Sequence, residues 1–288
     1  MRHQDRRRTD GAWRRTRRDP RRRAGRPAAG RRQSAGRSIG AGRTGPFPHG
    51  HERWQPLSRP APVGRAAPAG CRRVIEDPPL LTIAATPRRL PASVVAAFAA
   101  TPASFIVDAL GGRGALDWRI KPIGTIRPFA GSAFTCHCGP GDNLALCAAV
   151  AECQAGDVIV AATDGFTGTS VVGDLLLGVA RNRGAVAFVT DGLVRDQADI
   201  EALGLPCYAA GATPNSPARN GPGAVGQPVQ CGGLTIATGD LVIGDRDGIV
   251  VVPAKAIDQT LARLAAVKES EAAMLARVKA GLSEVGFV

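Results

Sequence analysis

One stretch of this chain concentrates residues with the chemistry to hold a small acid and a metal ion. Gly173 to Asp196 reads G-D-L-L-L-G-V-A-R-N-R-G-A-V-A-F-V-T-D-G-L-V-R-D. Gly173, Asp174, Leu175 and Leu176 read as the first turn of a helix, where free backbone N–H groups attract an anion. Arg195 brings a planar donor fork that can grip a carboxylate through two parallel hydrogen bonds. Asp196 brings an oxygen anion suited to a hard divalent cation. A helix start and a charged loop on one scaffold can face one cavity. The competing reading is an Arg-Asp ion pair on a surface turn, which is common and contributes little.

The elements that must position these groups follow from pattern. Leu175, Leu176, Val179 and Ala180 are spaced as an apolar helical face, and Gly184 stands where a helix C-terminus is often followed by glycine. Residues 185–189 form an apolar run without alternation, as in a strand covered on both faces. That strand leads to the loop with Asp191, Arg195 and Asp196.

Upstream, helices are predicted over 90–100 and 101–110, the second ended by Gly111-Gly112, then strands over 123–126 and 131–136. Asp142 or Asn143 is placed to cap a helix over 144–153. A buried strand over 157–161 and a Gly/Thr-rich loop over 164–169 precede the central stretch. Downstream come a short helix over 199–203 and strands over 206–210, 225–229, 234–236, 240–244 and 248–252. A long amphipathic helix over 256–280 follows. Helices interleaved with strands define an α/β class. No run reaches the roughly 18 apolar residues of a membrane span.

Charge divides the chain. Residues 1–78 hold 21 arginines, no lysine and six acidic residues, whereas the remainder is nearly neutral, so the +13 net charge belongs to the first segment. That segment is rich in Arg, Pro and Gly and lacks the apolar content to offset its ordering entropy. It is read as a disordered tail, either an upstream extension outside the working protein or, through phosphate neutralisation and stacking on Trp13 and Trp54, a nucleic-acid-binding arm. The domain is expected over 79–288.

Several motifs occur in order: G-D-N-L at 141–144, G-D-L-L at 173–176, R-G at 183–184, D-G-L-V-R-D at 191–196 and G-D-R-D-G-I-V-V-V-P at 244–253. Together they resemble the 4-hydroxy-4-methyl-2-oxoglutarate (HMG/CHA) aldolase family, which includes the regulator of ribonuclease activity A. The resemblance covers roughly residues 88–275. It implies a three-layer sandwich of the swivelling phosphohistidine-domain type, assembled as a homotrimer or a hexamer with sites between subunits. It also implies a class II aldolase that uses Mg or Mn to split a 4-hydroxy-2-oxo acid into pyruvate and a second oxo acid, with oxaloacetate decarboxylation as a related activity.

Carried onto this chain, the substrate-binding turn is Gly173, Asp174, Leu175 and Leu176. The substrate-binding and catalytic arginine is Arg195, Asp174 is the second catalytic residue, and the direct metal ligand is Asp196. Asp174 and, from a neighbouring subunit's C-terminal helix, Glu269 would act through metal-bound water, with Glu271 as second choice. The 164–169 loop departs from the family pattern, and the tail is foreign to it. A non-catalytic regulator acting by protein binding is the alternative.

Other chemistry finds less support. Cys136-His137-Cys138 cannot aim all three side chains at one ion if they alternate across a strand. Seven cysteines without a secretory segment suggest reduced thiols and a cytoplasmic setting. No G-x-G-x-x-G follows a strand, so a nucleotide or methyl-donor cofactor has no visible seat. Lys121, Lys255, Lys268 and Lys279 keep a Schiff-base route formally open, although no lysine lies in the central stretch.

Overall fold

The computed structural model describes residues 79–85, 89–125 and 127–284. The Arg-rich tail expected over 1–78 lies outside them. From the N-terminal side run β1 (Leu81–Ile83), α1 (Ala92–Ala99), α2 (Ala103–Ala109), β2 (Lys121–Pro122), β3 (Phe129–His137), α3 (Leu144–Glu152) and β4 (Asp157–Ala162). Then come β5 (Ser170–Val172), α4 (Asp174–Asn182), β6 (Ala187–Thr190), β7 (Leu193–Val194), α5 (Gln197–Leu203), β8 (Cys207–Ala209) and β9 (Gly211–Ala212). The chain closes with β10 (Gly223–Val225), β11 (Val229–Cys231), β12 (Leu234–Ile236), β13 (Leu241–Gly244), β14 (Ile249–Val252) and α6 (Ile257–Lys279).

Among the described residues the main sheet has nine strands, ordered β1-β10-β3-β4-β6-β8-β2, with β13 beside the first half of β3 and β14 beyond it. The centre, β3-β4-β6-β8, is parallel, whereas β10 and β13 run antiparallel to β3. Parallel strands are normally covered on both faces, and β4 and β6 are buried at every position.

The two-residue period sorts their side chains. Ile159, Ala161 and Phe188 join Leu146 of α3, Leu177 of α4 and Ile200 of α5 on one face. Val158, Val160, Ala162, Ala187 and Val189 join Val229 and Ile236 of the β11–β12 hairpin on the other. A third cluster packs α1, α2 and α6 against β13 and β14 through Phe98, Ile106, Leu241 and Leu264. This is the layered α/β sandwich that the element order implies.

Three expectations need correction. Of the strand expected over 123–126, the described residues 123–125 form none: the pairing lies at Lys121–Pro122, and the chain bends at Gly124, whose φ is +79°. The strand over 225–229 is two strands, separated where Gly226 turns at φ +80°. In α4, Leu177 and Ala180 are the buried residues, while Leu175 is 80% and Val179 49% exposed. The apolar face read from spacing is therefore rotated from the face that packs. At α3, Asn143 occupies the cap position without a side-chain cap, and Asp142 Oδ1 instead accepts the Leu144 N–H at 2.8 Å.

One polar tie crosses the core. Asp157, fully buried, accepts Arg89 Nε at 2.7 Å and Nη2 at 2.8 Å and also the Gln154 N–H at 2.8 Å. The Arg89 guanidinium lies 5.4 Å from the Phe134 ring centroid. Removing one partner strands the other charge, so Asp157→Ala is expected to cost about 3–5 kcal/mol in chemical denaturation. A loss below 1 kcal/mol would show that the pair is not a structural tie.

Candidate functional site

A small second sheet assembles the site. β5, β7 and β9 are parallel neighbours, with Val172 opposite Val194 and Val194 opposite Ala212. Because the strands run the same way, their C-terminal ends lie together, the usual place for ligand-binding loops in such sheets. From β5 the chain enters α4 at Gly173, from β7 it reaches Arg195, and from β9 it runs through residues 213–219. Backbone bonds from Arg195 N to Val172 O and from Thr213 N to Val194 O, at 3.0 and 2.9 Å, stitch the three exits together.

These exits surround a cleft of about 300 Å³. Gly173, Asp174, Leu175, Leu176 and Arg195 line it, together with Asn143, Ser216 and Arg219, whereas Asp196 is not part of the lining and lies against Gly173 and Arg195. No side chain caps the start of α4, so its first-turn N–H groups and the helix dipole face an incoming anion. Arg195 Nη1 donates to Ser216 Oγ at 2.6 Å, and its Nε lies 3.2 Å from Asp196 Oδ2. Both side chains remain a little over one third exposed, so the pair is screened and adds little to folding.

Asp196 is the cap residue of α5 and sits in the left-handed region at φ +60°, ψ +45°. Few residues other than glycine accept that conformation, and Asp and Asn are among them. Its strain, of order 1 kcal/mol or more, aims the carboxylate back at Gly173. A Cβ at position 173 would overlap Asp196 Oδ2 and lie 3.0 Å from Arg195 Nε. The absence of a Cβ, and not backbone conformation, is what permits this close approach, since the φ of −124° suits any residue.

Other candidate residues lie outside the cleft of their own chain. Asp191 instead accepts the Thr163 N–H and hydroxyl and the Gly165 N–H. Glu269 and Glu271 are exposed on α6, whose buried residues, Ile257, Thr260 and Leu264, belong to its first half; neither glutamate lines the cleft of its own chain. Cys136 and Cys138 turn into the core while His137 points away and meets Asp164 Oδ1 at 2.9 Å. Among the described residues no three His, Cys, Asp or Glu side chains converge on one point. The six described cysteines are free, and burial pushes the Cys207 thiol up to about 12.

Arg219 was not singled out from sequence. Its Nε donates to Asn143 Oδ1 at 3.2 Å, and Asn143 Nδ2 donates to Val171 O at 3.2 Å. Asp142 fixes the same loop by accepting the Asn220 and Gly221 N–H groups. The G-D-N-L motif thus seats a second arginine in the cleft. Its only local sequence signal is the G-D-N run, since the contact spans 76 residues.

Gly178, one turn into α4, is a useful contrast. A Cβ there would meet only Leu203 Cδ2, at an ordinary 3.6 Å. Gly178→Ala should therefore raise stability by about 0.5–1 kcal/mol through helix propensity, with turnover unchanged; a lower melting temperature would contradict that packing.

The layered α/β domain thus brings a helix start, two arginines and a carboxylate around one small cleft, groups whose chemistry can receive a small anion. Residues 103–251 match the RraA-like family described as aldolase/RraA. The chain belongs to that family. It is 38% identical over 156 residues to a Halalkalibacterium halodurans protein provisionally named 4-hydroxy-4-methyl-2-oxoglutarate aldolase, covering 54% of this chain and 74% of the relative. The Streptomyces coelicolor RraAS2 structure, an unusual member of the RNase ES inhibitor RraA family, superposes with TM-score 0.60 at 27% identity, covering 67% of this chain and 99% of that one. The RNA-processing inhibitor RraA of Thermus thermophilis gives TM-score 0.50 at 27% identity, covering 53% and 93%.

Proposed function

We propose that this protein is a divalent-metal-dependent aldolase that cleaves a 4-hydroxy-2-oxo acid, such as 4-hydroxy-4-methyl-2-oxoglutarate, to pyruvate and a second oxo acid, and that it also decarboxylates oxaloacetate. The observation that carries the reading is the approach of Arg195 and the strained Asp196 to the uncapped start of α4. The relative's name supports the substrate class.

The donor set fits a hard cation. Gly173 lacks the Cβ that would strike Asp196 Oδ2, so this carboxylate can lie against the start of α4, and a site with one or two carboxylates that completes its shell with water and substrate oxygens suits Mg or Mn. Asp196 would hold the ion directly, and Asp174 would hold it through water. When bound, the ion supplies a Lewis acid at the substrate's 2-oxo group.

The chain's own groups do the rest. The first-turn N–H groups of α4 bind the substrate carboxylate. Arg195, held by Ser216, faces the oxygen on which negative charge grows as the C3–C4 bond breaks, and a fixed cation there is most effective once water is excluded. Asp174, the one carboxylate lining the cleft among the described residues, takes the proton of the 4-hydroxyl. Loss of CO2 from oxaloacetate develops the same enolate charge and uses the α4 N–H groups and Arg195, with no hydroxyl proton for Asp174 to take.

A homotrimer or a pair of trimers completes the proposal. Leu175 and Val179 on α4 and Met274, Leu275 and Val278 on α6 are exposed apolar residues on which symmetric copies can pack. Such packing would let Glu269 or Glu271 serve a neighbour's cleft. Light scattering should report three or six chains; a fully active monomer would remove this part.

The deciding assay measures pyruvate release from a panel of 4-hydroxy-2-oxo acids and from oxaloacetate, with and without Mg. Metal-stimulated release is expected. Absence of release across the panel would leave the non-catalytic regulator, the reading suggested by the inhibitor names of the structural relatives.

A further inference from the structure

A second cavity, of about 500 Å³, shares no residue with the Arg195 cleft. One wall is the strip from Asp117 to Lys121 that leads into β2. Its outstanding feature is Trp118, an indole that is 75% exposed, although a side chain of that size is normally among the most buried. Much of the remaining wall is poor in side chains, formed by Gly165, Ala210, Gly232 and Gly233. A flat aromatic surface beside a nearly bare wall makes a slot for a planar ring, and stacking there would remove apolar surface from water.

The polar groups restrict the charge of such a ligand. Asp117 takes Arg119 in a fork, with Nε at 3.0 Å and Nη2 at 2.7 Å. That guanidinium holds the Asp117 carboxyl down to about 2, so it stays anionic. Asp191 is already engaged by the three donors from Thr163 and Gly165. Lys121 gives one proton to Asp247 O at 2.7 Å and keeps two, and Arg119 keeps Nη1. The rim therefore offers one spare donor group on Lys121 and one on Arg119 among otherwise paired charges, a number matched to the two oxygens of a single carboxylate.

We propose that this cavity is a second ligand site, which takes a planar aromatic ring bearing a single carboxylate, with the ring on Trp118 and the carboxylate at Lys121 and Arg119. The site is separate from the cleft and does not depend on the aldolase reading.

Calorimetric titration of the full chain with 2-naphthoate tests it, with neutral 2-naphthamide and AMP as comparison ligands. One 2-naphthoate per chain should bind saturably. Trp118→Ala should weaken it by about tenfold or more, the order of one lost stacking partner, and Lys121→Met by about fivefold or more, the order of one charge-assisted bond. Arg195→Lys should leave the affinity unchanged. Trp118 is so exposed that its alanine variant should melt cooperatively near the wild-type temperature. Absence of saturable binding, unaltered affinity in Trp118→Ala, equal affinity for 2-naphthamide or AMP, or loss of binding in Arg195→Lys would each overturn the proposal.

Discussion

Asp196→Asn is expected to weaken the dependence of turnover on Mg or Mn by about 100-fold or more in half-saturating metal concentration, since it deletes the anionic ligand while keeping its size and one oxygen. Folding should hardly notice. Asparagine tolerates the left-handed conformation at φ +60° that this position demands. The ion pair lost with Arg195 is solvent-screened, with both side chains more than one third exposed. A stability change under about 1 kcal/mol, or roughly 2–4 °C in melting temperature, follows.

Arg195→Lys is the informative partner. A lysine keeps the charge but cannot reproduce a fork that reaches Ser216 and substrate at once. Substrate affinity and turnover should fall while the metal titration keeps its midpoint. A wild-type metal titration in Asp196→Asn, or equal loss of thermal stability in both variants without a selective metal effect, would reduce Arg195–Asp196 to a structural ion pair.

The parts of this fold legible in sequence are those written locally. The apolar run over 185–189, the helix over 144–153 and the long C-terminal helix each carry their own period and end signals, and they form close to where those signals place them. The errors arise where a distant contact overrides a local pattern. Residues 123–126 look like a strand, but the backbone turns at Gly124, where Glu201 occupies the space a Cβ would need. Glycine inside an apolar run was the available warning. In α4 the period identified an apolar side but not its cover. Leu175 and Val179 stay exposed because the helix packs through Leu177 and Ala180 instead.

The cleft was legible to a similar degree. Gly173–Leu176 and Arg195 announce themselves through motif and charge, and the parallel β5–β7 pairing brings them together. Arg219 could not be found that way. It enters through a loop pinned to Asp142 and Asn143 across more than seventy residues, and the G-D-N run that marks the anchor does not name a partner so far along the chain. The left-handed turn at Asp196 is likewise invisible in a chain where aspartates are common, though it fixes the direction of the carboxylate.

Gly173→Ala tests the geometry of that approach with the smallest possible change. The backbone at 173 is extended, at φ −124° and ψ −176°, so alanine brings no conformational strain. Its methyl group would overlap Asp196 Oδ2 and crowd Arg195 Nε at 3.0 Å and Cγ at 3.2 Å. The arginine and the carboxylate must move apart from the start of α4, by a shift on the scale of an ångström. Displacements of that size in a reacting constellation cost about 100-fold in rate, so kcat/KM for pyruvate release should fall by about that factor. Stability should change much less, because the side chains that yield are partly solvent-exposed and not part of the core. Gly178→Ala, five residues along the same helix and free of any close contact, controls for added helix propensity. Should Gly173→Ala retain wild-type kcat/KM while melting cooperatively, the close packing of residue 173 against Arg195 and Asp196 would have no catalytic meaning, and the proposed site would have to be placed elsewhere on the domain.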